Sequence, residues 1–379
     1  MSGHITQEGK GKWKITVEAG KDPATGKRKR IIKRIEGRRM DAQALMAQIV
    51  TELRQGTYIE QDNMSVEQWL NTWLHDYKKS SVRLTTWESY GMVIRLYLIP
   101  AVGALLLQDL RPDHLQKLYN EKQQNGFSAR TIRYIHTIIH AALKQAVKNQ
   151  LVFRNASEAV TLPKQEKSQV RAMTIDEQAK FLQVIQGDRI AAAFIILLAT
   201  GLRRGELLGL RWRNVDLTLG RISVEENLVR TNTKSLQYHP PKTKKSKGQM
   251  PLNKSAIDAF KEHRKAMLAE GNCSPEKPVF CSLDGTPYTP RRFSYKFEVL
   301  RDKAKISKDI TVHSTRHTFA TRLLEAGVSM KEAQELLRHE NIATTADIYS
   351  HVSVEMKQAA VDKLDQHLQS GTNWAPKPN

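Results

Sequence analysis

The spacing of hydrophobic and polar positions changes twice along the chain. Two stretches near the start, 12–20 and 27–37, are rich in β-forming residues and are joined by the turn signal DPATG. From residue 64 to about 159, apolar residues recur every three or four positions, the period of amphipathic helices. Beyond residue 173, helical stretches are mixed with short β-rich ones. The pattern predicts a multidomain protein that is mainly α with small β elements.

These changes of pattern also predict the domain boundaries. The predicted parts are a β module with one helix at 1–60, an all-helical domain at 64–159, a polar linker at 160–172, an α+β domain at 173–370 and a tail at 371–379.

Capping signals and apolar stripes predict the helices of the second part. Ser65 and Thr85 each precede a Gln or Glu by three positions, which is the pattern of a capping box at a helix start. A third helix is predicted from Pro112, and Ser128 begins the longest helix. The tryptophans lie on apolar stripes, so we expect them in the core.

The third part is predicted to mix helices and strands. An apolar helix ends at Thr200 and Gly201, and the stretch 201–212 is predicted to begin a new helix. Further on we expect a strand at 221–229, a basic hairpin at 240–253, a helix at 254–268, a short strand at 278–281 and a helix through Phe293, Phe297 and Leu300.

The charge balance narrows the class of partner. Sixty Lys and Arg residues stand against 39 Asp and Glu residues, a formal net charge of +21. Such an excess fits a polyanion such as nucleic acid, although ribosomal and membrane-surface proteins are equally basic. The basic residues cluster in the β module, whose candidate DNA contacts are Lys27, Arg28, Lys29, Arg30, Lys33 and Arg34. A solvated hairpin with incidental charge is the alternative. On the longest helix, Arg130, Arg133 and Lys144 are candidates, with a solvated basic face as the alternative.

Other classes are disfavoured by composition. Cys273 and Cys281 are the only cysteines and form no C-x-x-C motif, so neither a disulfide framework nor a zinc site is predicted. The longest apolar run, 190–199, is too short to span a bilayer, and no signal-peptide pattern follows Met1. We expect a soluble protein of the cytoplasm that uses no metal and no cofactor.

The stretch from His313 to His351 carries the strongest candidate chemistry. His313 and Arg316 are three positions apart, so on a helix they share a face and can reach one anionic group. Ser329 with Glu332 predicts the start of a second helix that ends near His339. Thr344 with Asp347 predicts a further cap, followed by Tyr349 in the same helix. His313 and His317 could also form a metal pair, but the surrounding arginines would repel a cation.

The motifs H-x-x-R, L-L-x-H and T-T-x-x-I-Y-x-H resemble the second signature box of the tyrosine recombinases, the family of phage-type integrases. The segment GLRRGELLGLRW at 201–212 resembles the first box. The sequence departs from the family at Arg338, where a glycine usually stands. The ten positions between His339 and Tyr349 are similar to those in phage and conjugative-element integrases.

The resemblance implies a role for each site residue. Tyr349 would attack a DNA phosphate and form a 3′-phosphotyrosyl intermediate. The groups around that phosphate would be Arg203, Arg316, His313, His339 and a mobile lysine on a β-turn. We assign this lysine, the proton donor to the leaving oxygen, to Lys242, although Lys244, Lys245 and Lys247 stay open. Glu206 would support Arg203, and Arg204 and Lys244 are further candidates for DNA contact.

The chemistry explains why these residue types occur together. Two guanidinium groups can bind the non-bridging oxygens of a phosphodiester through paired hydrogen bonds, which a lysine cannot do. The Tyr349 phenol has an ordinary pKa near 10, so it must lose a proton as it attacks, and His313 is a plausible acceptor. The arginines carry the charge stabilisation, so the chemistry requires no metal.

The resemblance also implies the domains and the partners. The three parts would be an arm-site DNA-binding module, a helical core-binding (SAM-like) domain and a catalytic domain. Four protomers would exchange strands of double-stranded DNA through a Holliday junction, integrating or excising a mobile element, with an excision factor and DNA-bending proteins as possible partners. Two alternatives stay open: a type IB topoisomerase, and a non-catalytic DNA-binding protein of the same fold. The amphipathic segment 353–369 could pack on its own domain or dock on a neighbour.

Overall fold

The computed structural model describes most of the chain. The described residues are 3–21, 26, 28–55, 58, 62–165, 170–231, 235–240, 248–342, 361–362 and 365. They form two compact units, Met1–Lys167 and Ser168–Asn379. Among these residues, no helix is both long enough and apolar enough to cross a membrane.

The first unit begins with an antiparallel sheet of three strands backed by one helix. The strands are β1 (Gly3–Gly9), β2 (Lys12–Lys21) and β3 (Arg28–Glu36), in that order, and the helix is α1 (Arg39–Gln55). Ile15, Val17 and Ile31 are buried between sheet and helix, where Ile49 of α1 meets them. The sequence predicted β2, β3 and the helix but not β1.

The rest of the first unit is helical, as predicted. Its elements are α2 (Val66–Thr72) with a π-helical turn (Trp73–Lys78), α3 (Leu84–Val93) with a π-helical turn (Ile94–Leu98), α4 (Ile99–Val102), α5 (Pro112–Gln124) and α6 (Ala129–Lys148), with 3-10 turns at Leu107–Asp109 and Ala156–Ala159.

Side-chain caps explain the starts of two of these helices, α2 and α6. Ser65 forms the predicted capping box with Gln68, and the Ser128 side chain accepts from the backbone N–H of Thr131. The predicted cap at Thr85 is wrong, because α3 already begins at Leu84 after Arg83. The tryptophan Trp69 lies in the core, as expected, where its indole N–H donates to the carbonyl of Ala142 at 3.0 Å.

The second unit surrounds a buried helix with further helices and two small sheets. Its elements are α7 (Ile175–Val184), α8 (Ala191–Thr200), α9 (Arg204–Leu208), a 3-10 turn (Trp212–Asn214), β4 (Val215–Asp216), β5 (Arg221–Val224), β6 (Asn227–Arg230), β7 (Leu236–His239), β8 (Gly248–Pro251), α10 (Lys254–Ala269), α11 (Pro290–Lys303), α12 (Ser314–Glu325) and α13 (Met330–Leu337). The sheet orders are β4-β5-β8 and β6-β7. Helix α8 is apolar on nearly all sides because α10 and α12 cover it.

Several predicted elements of this unit are wrong in extent. The helix expected at 201–212 is only the short α9, because Gly205 and Gly209 bring its backbone against the strand β6. The strand expected at 221–229 is two strands, β5 and β6, which belong to different sheets. Of the hairpin expected at 240–253, residues 241–247 lie outside the described residues, and the described strand β8 pairs with β5. The stretch 278–281 makes only isolated bridges.

Candidate active site

Arg203 stands where the long buried helix α8 gives way to the short helix α9. Its backbone N–H donates to Oε2 of Glu206 at 3.0 Å, and its Nη1 donates to Oε1 of the same carboxylate at 2.9 Å. The Arg203 side chain remains 41% exposed, while Glu206 is 4% exposed. The predicted contact between these two residues is therefore present, and it leaves part of the guanidinium open to solvent.

The turn between α8 and α9 depends on Gly201. Its φ of 63° lies in the left-handed region, where a side chain is strained. A Cβ at this position would also lie 2.4 Å from Cδ1 of Phe319. The turn therefore packs directly against α12, the helix that carries Arg316.

Arg316 is buried and is held by two backbone carbonyls. It is 3% exposed, its Nη1 donates to the carbonyl oxygen of Gly201 at 2.6 Å, and its Nη2 donates to that of Leu337. Burial, together with the charge of Arg203, lowers the pKa of Arg316 to about 9. That value is still above neutral pH, so the guanidinium keeps its charge. One side chain thus links the turn between α8 and α9, the helix α12 and the end of α13.

His313 and His317 lie at the start of α12. His313 occupies the cap position before Ser314, and the centroids of the two rings are 5.0 Å apart at an interplanar angle of 80°. His313 is accessible to solvent, but desolvation of its ring and then the charge of Arg316 lower its pKa. Burial lowers the pKa of His317 to about 4. Both imidazoles are therefore neutral at pH 7.

His339 follows the end of α13, which the predicted capping box of Ser329 and Glu332 begins. Its backbone N–H donates to the carbonyl of Gln334 at 3.1 Å, so the residue is fixed to the last turn of the helix. Burial, then the charges of Arg316 and Arg203, lower the pKa of His339 to about 4. The structure thus brings His339 into the same neighbourhood as both arginines.

Arg338 takes the left-handed conformation that ends α13, with φ 54° and ψ 43°. For a residue with a Cβ this conformation costs roughly 1 kcal/mol or more. The side chain turns inward, and its Nη2 donates to Oε2 of Glu206 at 2.7 Å, with both side chains nearly fully buried. The sequence singled out this position only as a departure from the family. Its buried partner was missed, because nothing local connects residue 338 with residue 206.

Glu206 is therefore shared by two arginines. Burial alone would raise the pKa of its carboxyl, but Arg338 and Arg203 outweigh burial and hold that pKa below its ordinary value. The carboxylate is ionised at neutral pH, and it forms one ion pair with Arg203 and another with Arg338.

Four predicted site residues lie outside the described residues. They are the nucleophile candidate Tyr349, the proton donor candidate Lys242, and the candidate DNA contacts Lys244 and Lys27. The cap predicted at Thr344 lies outside as well, as does most of the segment 353–369.

The remaining candidate DNA contacts of the helices differ in surroundings. Arg204 is exposed beside Arg203 and donates to the hydroxyl of Ser294. Arg130 and Lys144 are exposed on α6. Arg133 instead donates from Nε to the carbonyl of Pro163 at 2.9 Å, so part of its guanidinium holds the chain that follows the helical domain.

Strand alternation places the candidate DNA contacts of the β module on two different faces of the sheet. Cross-strand pairing places Arg30 and Arg34 on the sheet face opposite α1, around Ile32, which is 49% exposed. Arg28 shares this alternation, whereas Lys29 and Lys33 alternate with Ile31 toward the helix side. The Arg34 Nε donates to Glu8 Oε2 at 2.8 Å.

No group of three or more His, Cys, Asp or Glu side chains able to hold a metal ion occurs in the part of the chain that the structure describes.

Comparison with known proteins decides the family. The model of the phage integrase family matches residues 165–356, which include the whole arrangement around Arg203 and Arg316. The chain belongs to the phage integrase family. The family's N-terminal SAM-like domain also matches, at residues 65–123. The chain is thus a tyrosine recombinase, an enzyme that cuts and rejoins DNA strands, as the sequence predicted.

The recombinase is similar over nearly its whole length to a tyrosine recombinase XerC-like protein of Caldanaerobacter subterraneus, with 26% identity, 96% of this chain and 98% of the relative covered. The Tn1549 transposon integrase in complex with a circular intermediate DNA has the same fold, with a TM-score of 0.70, 23% identity, and 79% and 99% of the chains covered. A lambda integrase tetramer bound to a Holliday junction matches with a TM-score of 0.60, 20% identity, and 91% and 94% covered. The predicted multidomain, mainly α fold is confirmed.

Proposed function

We propose that this recombinase integrates and excises a mobile genetic element by cutting and rejoining DNA at specific sites, with Tyr349 as the nucleophile. The observation that carries the proposal is the convergence of Arg203, Arg316 and His339, three groups suited to a phosphate, from three separate helix ends. Arg203 is paired with the carboxylate of Glu206, which Arg338 also contacts. Glu206 is buried, so it approaches Arg203 from the inner side of the site.

The two arginines are the proposed phosphate clamp. A guanidinium has five N–H groups, and Arg316 gives two of its nitrogens to backbone carbonyls, so donors remain for a non-bridging oxygen. Arg203 gives Nη1 to Glu206 and keeps a partly exposed side chain. Because both groups are held before DNA arrives, they stabilise the added charge of the transition state without reorganising.

The two proton transfers are assigned to His313, which is neutral, and to Lys242. His313 is neutral at pH 7, so it can accept the phenol proton of Tyr349 as that oxygen bonds to phosphorus. Lys242 donates a proton to the departing 5′ oxygen. The phosphotyrosyl bond keeps the energy of the broken phosphodiester, so religation needs neither ATP nor a metal.

The arrangement on DNA follows the family. The module at 1–60 binds arm sites through the sheet face that carries Arg30, the domain at 64–159 binds the core site, and the domain at 173–370 carries out catalysis. A homotetramer on a Holliday junction in the cytoplasm is the proposed assembly, in line with the lambda integrase tetramer. An excision factor and DNA-bending proteins are the further partners that we propose.

A plasmid recombination assay tests this proposal against its alternatives. The plasmid carries two copies of the DNA that flanks the gene, and the products are scored by size. We expect deletion of the segment between the copies, dependent on Tyr349. A plasmid that is relaxed without any deletion would favour the topoisomerase alternative, and tight binding with neither reaction would favour a non-catalytic DNA-binding protein.

A further inference from the structure

Arg338 joins two parts of the active site that are far apart in sequence. It directly precedes His339, and its partner Glu206 lies 132 residues earlier, in α9. Both side chains are nearly fully buried, at 6% and 4% exposure, so the ion pair is shielded from solvent. A left-handed residue with a side chain at this position is strained, and a glycine would avoid that strain. The chain therefore keeps an unfavourable backbone conformation together with a buried ion pair.

Glu206 uses both of its oxygens in this arrangement. Oε1 accepts from Nη1 of Arg203, while Oε2 accepts from the Arg203 backbone N–H and from Nη2 of Arg338. Arg203 is thus fixed through both its backbone and its side chain by a carboxylate that Arg338 holds on the other side. Any shift of Arg338 moves the oxygen that Arg203 is bound to.

A parallel connection lies beside this one. Arg316 bonds the carbonyls of Gly201, two residues before Arg203, and of Leu337, the residue before Arg338. Without Arg338 the ion pair between the two turns would be lost, while the bonds of Arg316 to both turns would remain. The carboxylate of Glu206 would then have a single guanidinium partner, Arg203, and would hold that guanidinium back from a phosphate more strongly.

We propose that Arg338 is a positioning residue of the recombinase, which acts through Glu206 to set Arg203 and His339 in register for the same scissile phosphate. This inference rests on the proposed function. Arg338 does not itself contact the phosphate; it balances the charge of Glu206 and fixes the distance between the end of α13 and the start of α9. The rate of strand cleavage depends on this register, whereas the affinity for DNA, which many other contacts share, does not.

The test compares variants of the full chain on one nicked duplex from the DNA that flanks the gene. Single-turnover formation of the covalent adduct at saturating protein gives the cleavage rate, a gel shift gives the affinity, and thermal unfolding gives the stability. For Arg338→Met we expect cleavage to slow by about tenfold to a hundredfold, the range that small misplacements of catalytic groups produce, with affinity unchanged within about twofold. Arg338→Lys keeps the charge and should recover part of the rate.

Two matched controls separate positioning from stability. Arg301 is a buried arginine of the same unit that bonds the carbonyls of Lys308 and Ile310, so Arg301→Met should lower stability and leave the cleavage rate of the folded protein unchanged. Lys305 has the same left-handed conformation, with φ 55°, so Lys305→Gly relieves equivalent strain. Arg338→Gly should slow cleavage although it relieves strain, and Lys305→Gly should not.

A double-mutant cycle gives the decisive comparison. Because Arg338 acts through Glu206, the slowing caused by Arg338→Met should largely disappear in a Glu206→Gln background. Equal slowing in both backgrounds, or a wild-type cleavage rate for Arg338→Met, would overturn the inference. If the wild type forms no adduct, the proposed function itself fails and this inference fails with it. If wild type and Arg338→Met form the adduct at the same rate, this inference is overturned but the proposed function is not.

Discussion

Arg316 donates from Nη1 to the carbonyl oxygen of Gly201 at 2.6 Å, across 115 residues of sequence. This bond places the two signature segments of the family in contact, since Gly201 opens the first and Arg316 lies in the second. The same guanidinium reaches the carbonyl of Leu337, so it also fixes the turn before His339. Arg316, the proposed phosphate ligand, therefore also joins the two segments.

Arg316→Lys tests the need for a guanidinium at this position. A lysine keeps the charge but cannot reach both carbonyls and a phosphate in the same plane. We expect strand cleavage to fall by on the order of a hundredfold or more, with a lower unfolding midpoint because the carbonyl of Gly201 loses its buried donor. Covalent adduct formation and thermal unfolding measure the two effects. Retention of full cleavage would show that Arg316 is not a phosphate ligand.

Gly201→Ala tests the close contact of the α8–α9 turn with α12. The alanine Cβ would lie 2.4 Å from Phe319 on a backbone with φ 63°, so strain and overpacking add together. We expect the free energy of unfolding to fall by about 2–4 kcal/mol, measured by urea denaturation. Gly248→Ala is the matched control, because its Cβ would meet nothing within 4 Å. Recovery of part of the loss in a Gly201→Ala, Phe319→Leu double variant would confirm the contact as the cause.

The pH dependence of stability tests the burial of His339. Its pKa is lowered to about 4, whereas an unfolded histidine has a pKa near 6.5. Between these two values the unfolded chain binds a proton that the folded chain does not bind. Stability is therefore complete above about pH 6.5 and falls as the pH drops toward 4, by up to about 3 kcal/mol.

The measurement is the unfolding midpoint of wild type and His339→Gln between pH 7 and pH 5, where most carboxylates stay ionised. We expect a smaller fall with His339→Gln. His4→Gln, which changes an exposed histidine of β1, is the control and should follow wild type. Identical curves for His339→Gln and wild type would contradict the burial of a neutral imidazole.

The outer face of the N-terminal sheet gives a separate prediction about DNA affinity. Arg30 lies on this face, while Arg54 lies at the end of α1, so replacing either by alanine removes one charge from the same module. We expect Arg30→Ala to weaken binding to an arm-site duplex and to reduce the salt dependence by about one phosphate contact. Arg54→Ala should change neither. Equal losses for the two variants would mean that general charge, and not the sheet face, determines binding.

The sequence predicted those features that depend on neighbouring residues. The capping boxes at Ser65 and Ser329 each join positions three apart, and both are present. The contact between Arg203 and Glu206, which the family resemblance implied, also joins positions three apart and is present. The apolar stripe of α6 could also be predicted from the sequence, because a helix of 20 residues repeats its pattern several times.

Features that depend on tertiary packing were missed or wrong. The helix expected at 201–212 stops after Leu208, because Gly205 and Gly209 are needed for close approach to β6 and not for helix continuation. The pairing of Arg338 with Glu206 joins segments that no local pattern connects. The split between β5 and β6 reflects a change of sheet, which a β-rich stretch does not reveal.

Covalent trapping on nicked duplexes, tiled across the DNA that flanks the gene, tests whether Tyr349 cleaves DNA at a specific site. Wild type and Tyr349→Phe are run side by side, and a gel shift establishes that both bind the same duplex. We expect an adduct that resists SDS and disappears with protease, formed by wild type only, with the cleaved 3′ phosphate at one position. Tight binding of both proteins to one site with no adduct from either, or an adduct that survives in Tyr349→Phe, would rule out Tyr349 as the nucleophile.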